Sequence, residues 1–97
     1  MIHSVIATVR VRPGAEAEFE ALATKLVEAT NREPGCLLYT LNKGEEPHTY
    51  VFIERYRDEE AVRAHRSSEH FRSIGREMGA FMEGDRSVLR MHELAGP

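Results

Sequence analysis

Four runs of this chain, Ser4–Arg12, Cys36–Lys43, Thr49–Arg57 and Ser87–Leu94, alternate as strands do and carry apolar or aromatic side chains on both of the faces that alternation creates. A strand with one wet face should read polar at every second residue, so a sheet built from these runs needs cover on both sides. Helices of the same chain can supply one cover. The other must come from outside the subunit, and a second copy of the same sheet is the simplest candidate. Two such sheets packed face to face would close into a barrel with the helices outside.

Between the runs the hydrophobic period changes. After a turn at Pro13-Gly14, Phe19, Leu22, Ala23, Leu26, Val27 and Thr30 take the spacing of an amphipathic helix, with Glu16, Glu18 and Glu20 early and Lys25 and Arg32 late, as the helix dipole favours. Glu33-Pro34-Gly35 ends it, because the residue before proline resists helical geometry. The polar loop Gly44–His48 is short enough to make the second and third strands a hairpin. Asp58 stops the third strand and caps a short helix that begins Glu59-Glu60 and places Ala61, Ala64 and His65 on one side. Ser67 and Ser68 break the chain and re-cap it. A last helix, from about Glu69 to Met82 and ended by Gly84, then presents Phe71, Ile74, Met78, Phe81 and Met82 on one face. Gly75 and Gly79 inside it each cost about 1 kcal/mol relative to alanine and should have a reason, of which close backbone approach to a strand or ligand is one. The order β-α-β-β-α-α-β predicts an α+β, ferredoxin-like fold: a four-stranded antiparallel sheet with helices on one face, as a single domain over residues 1–97.

A chain of 97 residues has a modest core of its own, which dimerisation would enlarge. Its 13 basic and 16 acidic residues are well mixed, giving a net charge of −3, with no basic stripe for nucleic acid and no polybasic run for a membrane surface. The start MIHSVIATVRV lacks the features of an export leader, and a cytoplasmic location is expected. Cys36 is the single cysteine, so no internal disulfide can form and no CxxC motif exists.

The candidate chemistry centres on the third strand and the helices after it. Tyr50, Phe52, Glu54 and Tyr56 share one strand face, a mixture that is neither plain core nor plain surface. His65 is the leading base, because an imidazole with an ordinary pKa of about 6.5 accepts a proton near neutrality. Glu54 could orient that imidazole, bind a substrate hydroxyl, or pair with Arg57, Arg63 or Arg90. His70 is a second imidazole at a helix start. Phe71, Met78, Phe81 and Met82 have core spacing, of which a pocket wall is a subset, and Tyr39 and Tyr50 belong to a pocket or a dimer interface. No metal site is expected, since His65 and His70 straddle a helix break and no element carries a His-His or His-carboxylate set. Phosphate-loop and dinucleotide motifs are missing.

The run FIERYRDEEAVRAHRSSEHF, the preceding EPGCLLYTL and the element order resemble the antibiotic biosynthesis monooxygenase superfamily, particularly its quinol-monooxygenase-like branch, over nearly the whole chain. Most specific are Glu54, the aromatic Tyr56, the helix start Asp58-Glu59-Glu60-Ala61, His65, and Ser68-x-His70-Phe71. The resemblance implies a homodimeric α+β barrel with a pocket in each subunit between sheet and helices. It further implies oxidation of a small aromatic phenol or quinol by dioxygen without a bound metal or flavin. Other members degrade haem or rearrange sugar-derived signal molecules. Ala7, His65 and Gly75 stand where the haem-degrading branch resembles Asn, Trp and a ligating His, which argues against haem; Ala61, His65 and Phe71 stand where the polyketide-oxidising branch has Asn, Trp and Tyr. The resulting expectation is a cofactor-free oxygenase with His65 and Glu54 catalytic and His70, Phe71, Tyr39, Tyr50, Met78 and Phe81 around the substrate. Two alternatives use the same pocket: an isomerase or lyase acting on a small hydroxy-carbonyl compound, and a non-catalytic ligand-binding dimer.

Overall fold

The computed structural model describes residues 1–97. It contains β1 (His3–Arg10), α1 (Glu16–Thr30), β2 (Cys36–Lys43), β3 (Thr49–Tyr56), α2 (Glu59–Ser67), α3 (Glu69–Gly79) and β4 (Ser87–His92), in the β-α-β-β-α-α-β order the sequence implies. The strands form one antiparallel sheet in the order β2-β3-β1-β4, the ferredoxin-like arrangement. Register decides which side chains meet. Tyr39, Glu54, Val5 and Arg90 line up across one face, whereas Thr40, Ile53, Ile6 and Leu89 line up across the other.

The first of these faces lies under the helices. Val5, Val9, Tyr39, Tyr50, Phe52 and Tyr56 are buried there against Phe19, Ala23 and Leu26 of α1 and Met78 of α3. At about 25 cal/mol per Å² of apolar surface, this layer is the dominant favourable contribution to folding. The opposite face carries no helix. Leu38, Ile53, Leu89 and Met91 remain 36–54% exposed on it, the surplus of apolar surface that the two-faced strands foretell.

The helix boundaries follow from local chemistry. The Asp58 carboxylate accepts from the Ala61 amide at 2.8 Å and starts α2. The Ser68 hydroxyl donates to the His65 carbonyl at 2.6 Å and accepts from the Phe71 amide at 3.2 Å, so one side chain closes α2 and opens α3. Two expectations need correction. The last helix stops at Gly79, not Met82, because Met82 pairs with Val11 beyond the end of β1 and the Glu83 amide donates to the Arg10 carbonyl. Nor do Gly75 and Gly79 mark a close approach to a strand, since a methyl group at either would touch nothing within 4 Å. The tight contact is elsewhere. A Cβ at Gly35 would lie 2.4 Å from Ala61 Cβ, so the missing side chain lets α2 settle onto the turn after α1.

Candidate active site

Between the helix-covered face of the sheet and α2 and α3 lies a cavity of about 240 Å³. Its floor is built by period-2 alternation: Phe52, Glu54 and Tyr56 of β3, Val5 and Ala7 of β1 and Tyr39 of β2 all point into it. Its roof comes from helical spacing, with Val62 and His65 of α2 and Phe71, Gly75 and Met78 of α3. Gly75 therefore has a role in open space: a side chain there would take up the cavity.

His65 is 2% exposed and sits among three rings, with centroids 4.7 Å from Phe71, 5.3 Å from Tyr39 and 5.5 Å from Tyr56. Its Nδ1–H donates to Glu33 Oε2 at 2.9 Å, and the same oxygen accepts from His70 Nε2–H at 2.6 Å. The turn that ends α1 supplies this carboxylate, and the Gly35–Ala61 contact holds that turn against α2. With Nδ1 tied to Glu33, the other ring nitrogen, Nε2, is buried and has no partner in the protein, while the ring itself lines the cavity. Burial lowers the His65 pKa, and the bond to Glu33 pulls it partly back, so the ring is neutral near pH 7 with its lone pair free.

Glu54 takes a different part from the one its sequence position suggests. It neither meets the imidazole nor pairs with Arg57, Arg63 or Arg90. Its Oε1 accepts from the Tyr56 hydroxyl at 2.6 Å, while Arg57 lies against Asp58 and Arg63 against Glu59. Burial raises its pKa to about 7, against opposing pulls from the Tyr56 hydrogen bond and the charges of Arg66 and Arg86. Tyr39 and Tyr56 are raised above the usual phenol range, by burial first and then by the Glu54 charge. The chamber thus joins a free imidazole nitrogen to a carboxyl that holds its proton to near neutrality.

Of the residues singled out in the sequence, His65, Glu54, Tyr39, Phe71 and Met78 line the cavity, and His70, Tyr50 and Phe81 do not. His70 stands behind His65, on Glu33. Tyr50 packs on Phe19 and its hydroxyl donates to Glu20; burial first, and then that bond, push its pKa up to about 12. Phe81 packs half-buried against the core next to the Val11–Met82 bridge. Sequence reasoning missed Glu33, because its breaker role in Glu33-Pro34-Gly35 gave no hint of partners 32 and 37 residues away. The helix break that argues in the sequence against a metal site does not keep His65 and His70 apart: the kink at Ser68 turns their rings to within 6.2 Å. Glu33, His65 and His70 offer one oxygen and two nitrogens within 4.8 Å of one another, a donor set that could hold a divalent ion only if the two hydrogen bonds to Glu33 gave way.

Fold and site together define a small ferredoxin-like α+β protein with an acid–base chamber between sheet and helices. Residues 2–77 match the family model described as "Antibiotic biosynthesis monooxygenase". The chain belongs to that family. It is 32% identical over 79 residues to "Putative monooxygenase Rv0793" of Mycobacterium tuberculosis, covering 81% of this chain and 78% of the relative. It is 33% identical over 69 residues to "Putative monooxygenase YcnE" of Bacillus subtilis, covering 70% and 73%. The solved structure of Rv0793 superposes with a TM-score of 0.92 at 28% identity over 99% of this chain and 98% of that one. A family member from Caulobacter crescentus superposes with a TM-score of 0.94 at 30% identity over 97% and 91%. No helix is long and apolar enough to cross a membrane.

Proposed function

We propose that this protein is a cofactor-independent monooxygenase that oxidises a small phenol or quinol with dioxygen, using His65 as the base. The observation that carries the reading is the His65 imidazole: buried, held by Glu33 through Nδ1, left without a partner at Nε2, and lining a cavity walled by aromatic rings. Such a nitrogen takes the phenolic proton at neutral pH, and Glu33 stabilises the imidazolium that forms. The resulting phenolate is rich enough in electrons to reduce dioxygen itself. For a phenol, one oxygen atom ends as a carbonyl on a ring carbon that loses its hydrogen. The second oxygen leaves as water with that hydrogen and the phenolic one, and the products are a quinone and water. Glu54, poised near neutrality, supplies or holds a proton at the oxygen being transferred.

The reading includes a homodimer. The exposed row of Ile53, Leu89, Leu38 and Met91 on the helix-free face suits a second copy of itself, whose twofold packing would close the barrel. Oxygen uptake over a panel of phenols and quinols tests the chemistry: turnover should appear with at least one compound and fall by about 100-fold or more in His65→Ala. Uptake that survives the substitution would refute the assignment of His65. Solvent deuterium entering a hydroxy-carbonyl compound without oxygen consumption would point instead to an isomerase.

A further inference from the structure

Arg66, Arg72, Arg76, Arg86 and Arg90 all line the one cavity that holds His65. They come from three places in the chain: α2, successive turns of α3, and β4 with the residue before it. Arg90 stands in the same cross-strand row as Glu54 and Val5, so its side chain leaves the sheet on the cavity side. None of the five makes an ion pair within the chain; outside the cavity, Arg55, Arg57 and Arg63 are bonded to Glu93, Asp58 and Glu59, and Arg10, Arg12 and Arg32 are unpaired. Acids are not scarce, for the chain has 16 of them against 13 bases. The only carboxyl in the lining is Glu54, already occupied by Tyr56 and half protonated near neutrality. An acidic protein therefore gathers unneutralised guanidinium groups at the mouth of an aromatic-floored chamber. Their field reaches inside, since Arg66 and Arg86 act on Glu54, and Arg86 on Tyr39.

We infer that the substrate is an aromatic compound bearing an anionic group, a carboxylate or a phosphate, which these arginines hold at the mouth while its ring lies on the floor of Tyr39, Phe52 and Phe71. Arginine suits the task, because its planar fork makes paired hydrogen bonds to either anion and stacks on rings. An occupant of this kind relieves the mutual repulsion of the five cations and orients the ring with its hydroxyl towards Nε2 of His65. The anion site rests on the oxygenase reading only for the chemistry after binding.

Calorimetric titration under nitrogen tests it, with gentisate (2,5-dihydroxybenzoate), its neutral methyl ester and 4-hydroxyphenyl phosphate as probes. The proteins are the wild type, an Arg76→Gln/Arg90→Gln double variant, and Arg63→Gln as a control outside the cavity. Gentisate or the phosphate should bind about tenfold or more tightly than the ester in low salt, and whichever gains more identifies the anion. The advantage should vanish in the double variant, shrink in roughly 0.5 M salt, and persist in Arg63→Gln. If the ester binds as well as both anions, or if the double variant keeps the preference, the inference falls. Oxygen uptake in air separates it from the broader reading. Arginine-dependent binding without uptake would sink the oxygenase and leave the anion site standing; equal turnover of gentisate and its ester would do the reverse.

Discussion

Replacing Glu54 by glutamine separates the cost of burying a carboxyl from everything else in the chamber. The amide keeps the shape of the side chain and leaves an oxygen to accept from Tyr56. In the unfolded chain Glu54 titrates at its ordinary 4.5, and in the folded chain at about 7, chiefly because burial penalises the charge. Between those values the folded protein binds more protons than the unfolded one, so stability must fall as pH rises. This contribution is fully present below pH 4.5 and is lost through pH 7. From a shift of that size, linkage puts the loss between pH 5 and pH 8 at about 2.5 kcal/mol. His65 runs the other way: its lowered pKa adds stability that is present above its ordinary value and is lost as pH falls. That term is common to both proteins and cancels in their difference. Urea unfolding at pH 5 and pH 8, at one fixed protein concentration, should therefore show Glu54→Gln gaining on the wild type by about 2.5 kcal/mol between the two pH values. A difference that is the same at both would mean that Glu54 titrates normally, and the near-neutral acid in the chamber would be wrong.

Gly35→Ala should destabilise the fold by about 2 kcal/mol through the overlap with Ala61, and the double variant Gly35→Ala/Ala61→Gly should recover about half of it, because the new methyl then meets Ala61 Cα at 3.4 Å and Arg57 Nη2 at 3.6 Å while glycine within α2 costs about 1 kcal/mol. Urea unfolding of the three variants decides this, and a double variant no better than the single one would refute the contact. Glu33→Gln should move the His65 pKa further down in an NMR titration, since burial stays and the carboxylate that opposes it goes; an unmoved pKa would show that the two groups do not interact. Ile53→Arg on the helix-free face should halve the mass measured by light scattering at micromolar concentration, and a wild type that is already monomeric there would end the dimer proposal.

What could be read from the sequence was what neighbouring residues decide among themselves. Tyr50, Phe52, Glu54 and Tyr56 are buried together because a strand has only two faces, and Asp58 and Ser68 cap because each reaches an amide three residues on. The site is assembled by a different kind of contact. Tyr39 and Tyr50 carry the same phenol on adjacent strands, yet one walls the cavity and the other is turned to Glu20 by the position of α1, which no local pattern specifies. The five arginines are scattered over two helices, a strand and the loop before it, and their convergence exists only once β4 lies beside β1 and α3 folds over the cavity. Glu33 is the sharpest case. In the chain it belongs to a stop signal, and a helix needs no carboxylate to stop. The glycine two residues on gives it partners: without a side chain at Gly35, α2 comes close enough for His65 to reach Glu33, and the kink at Ser68 brings His70 to the same oxygen. The tautomer of the proposed base is therefore set by a contact one turn before it on the same side of α2, between two residues that do not line the cavity, so substitutions outside the chamber can change its proton chemistry without altering its walls.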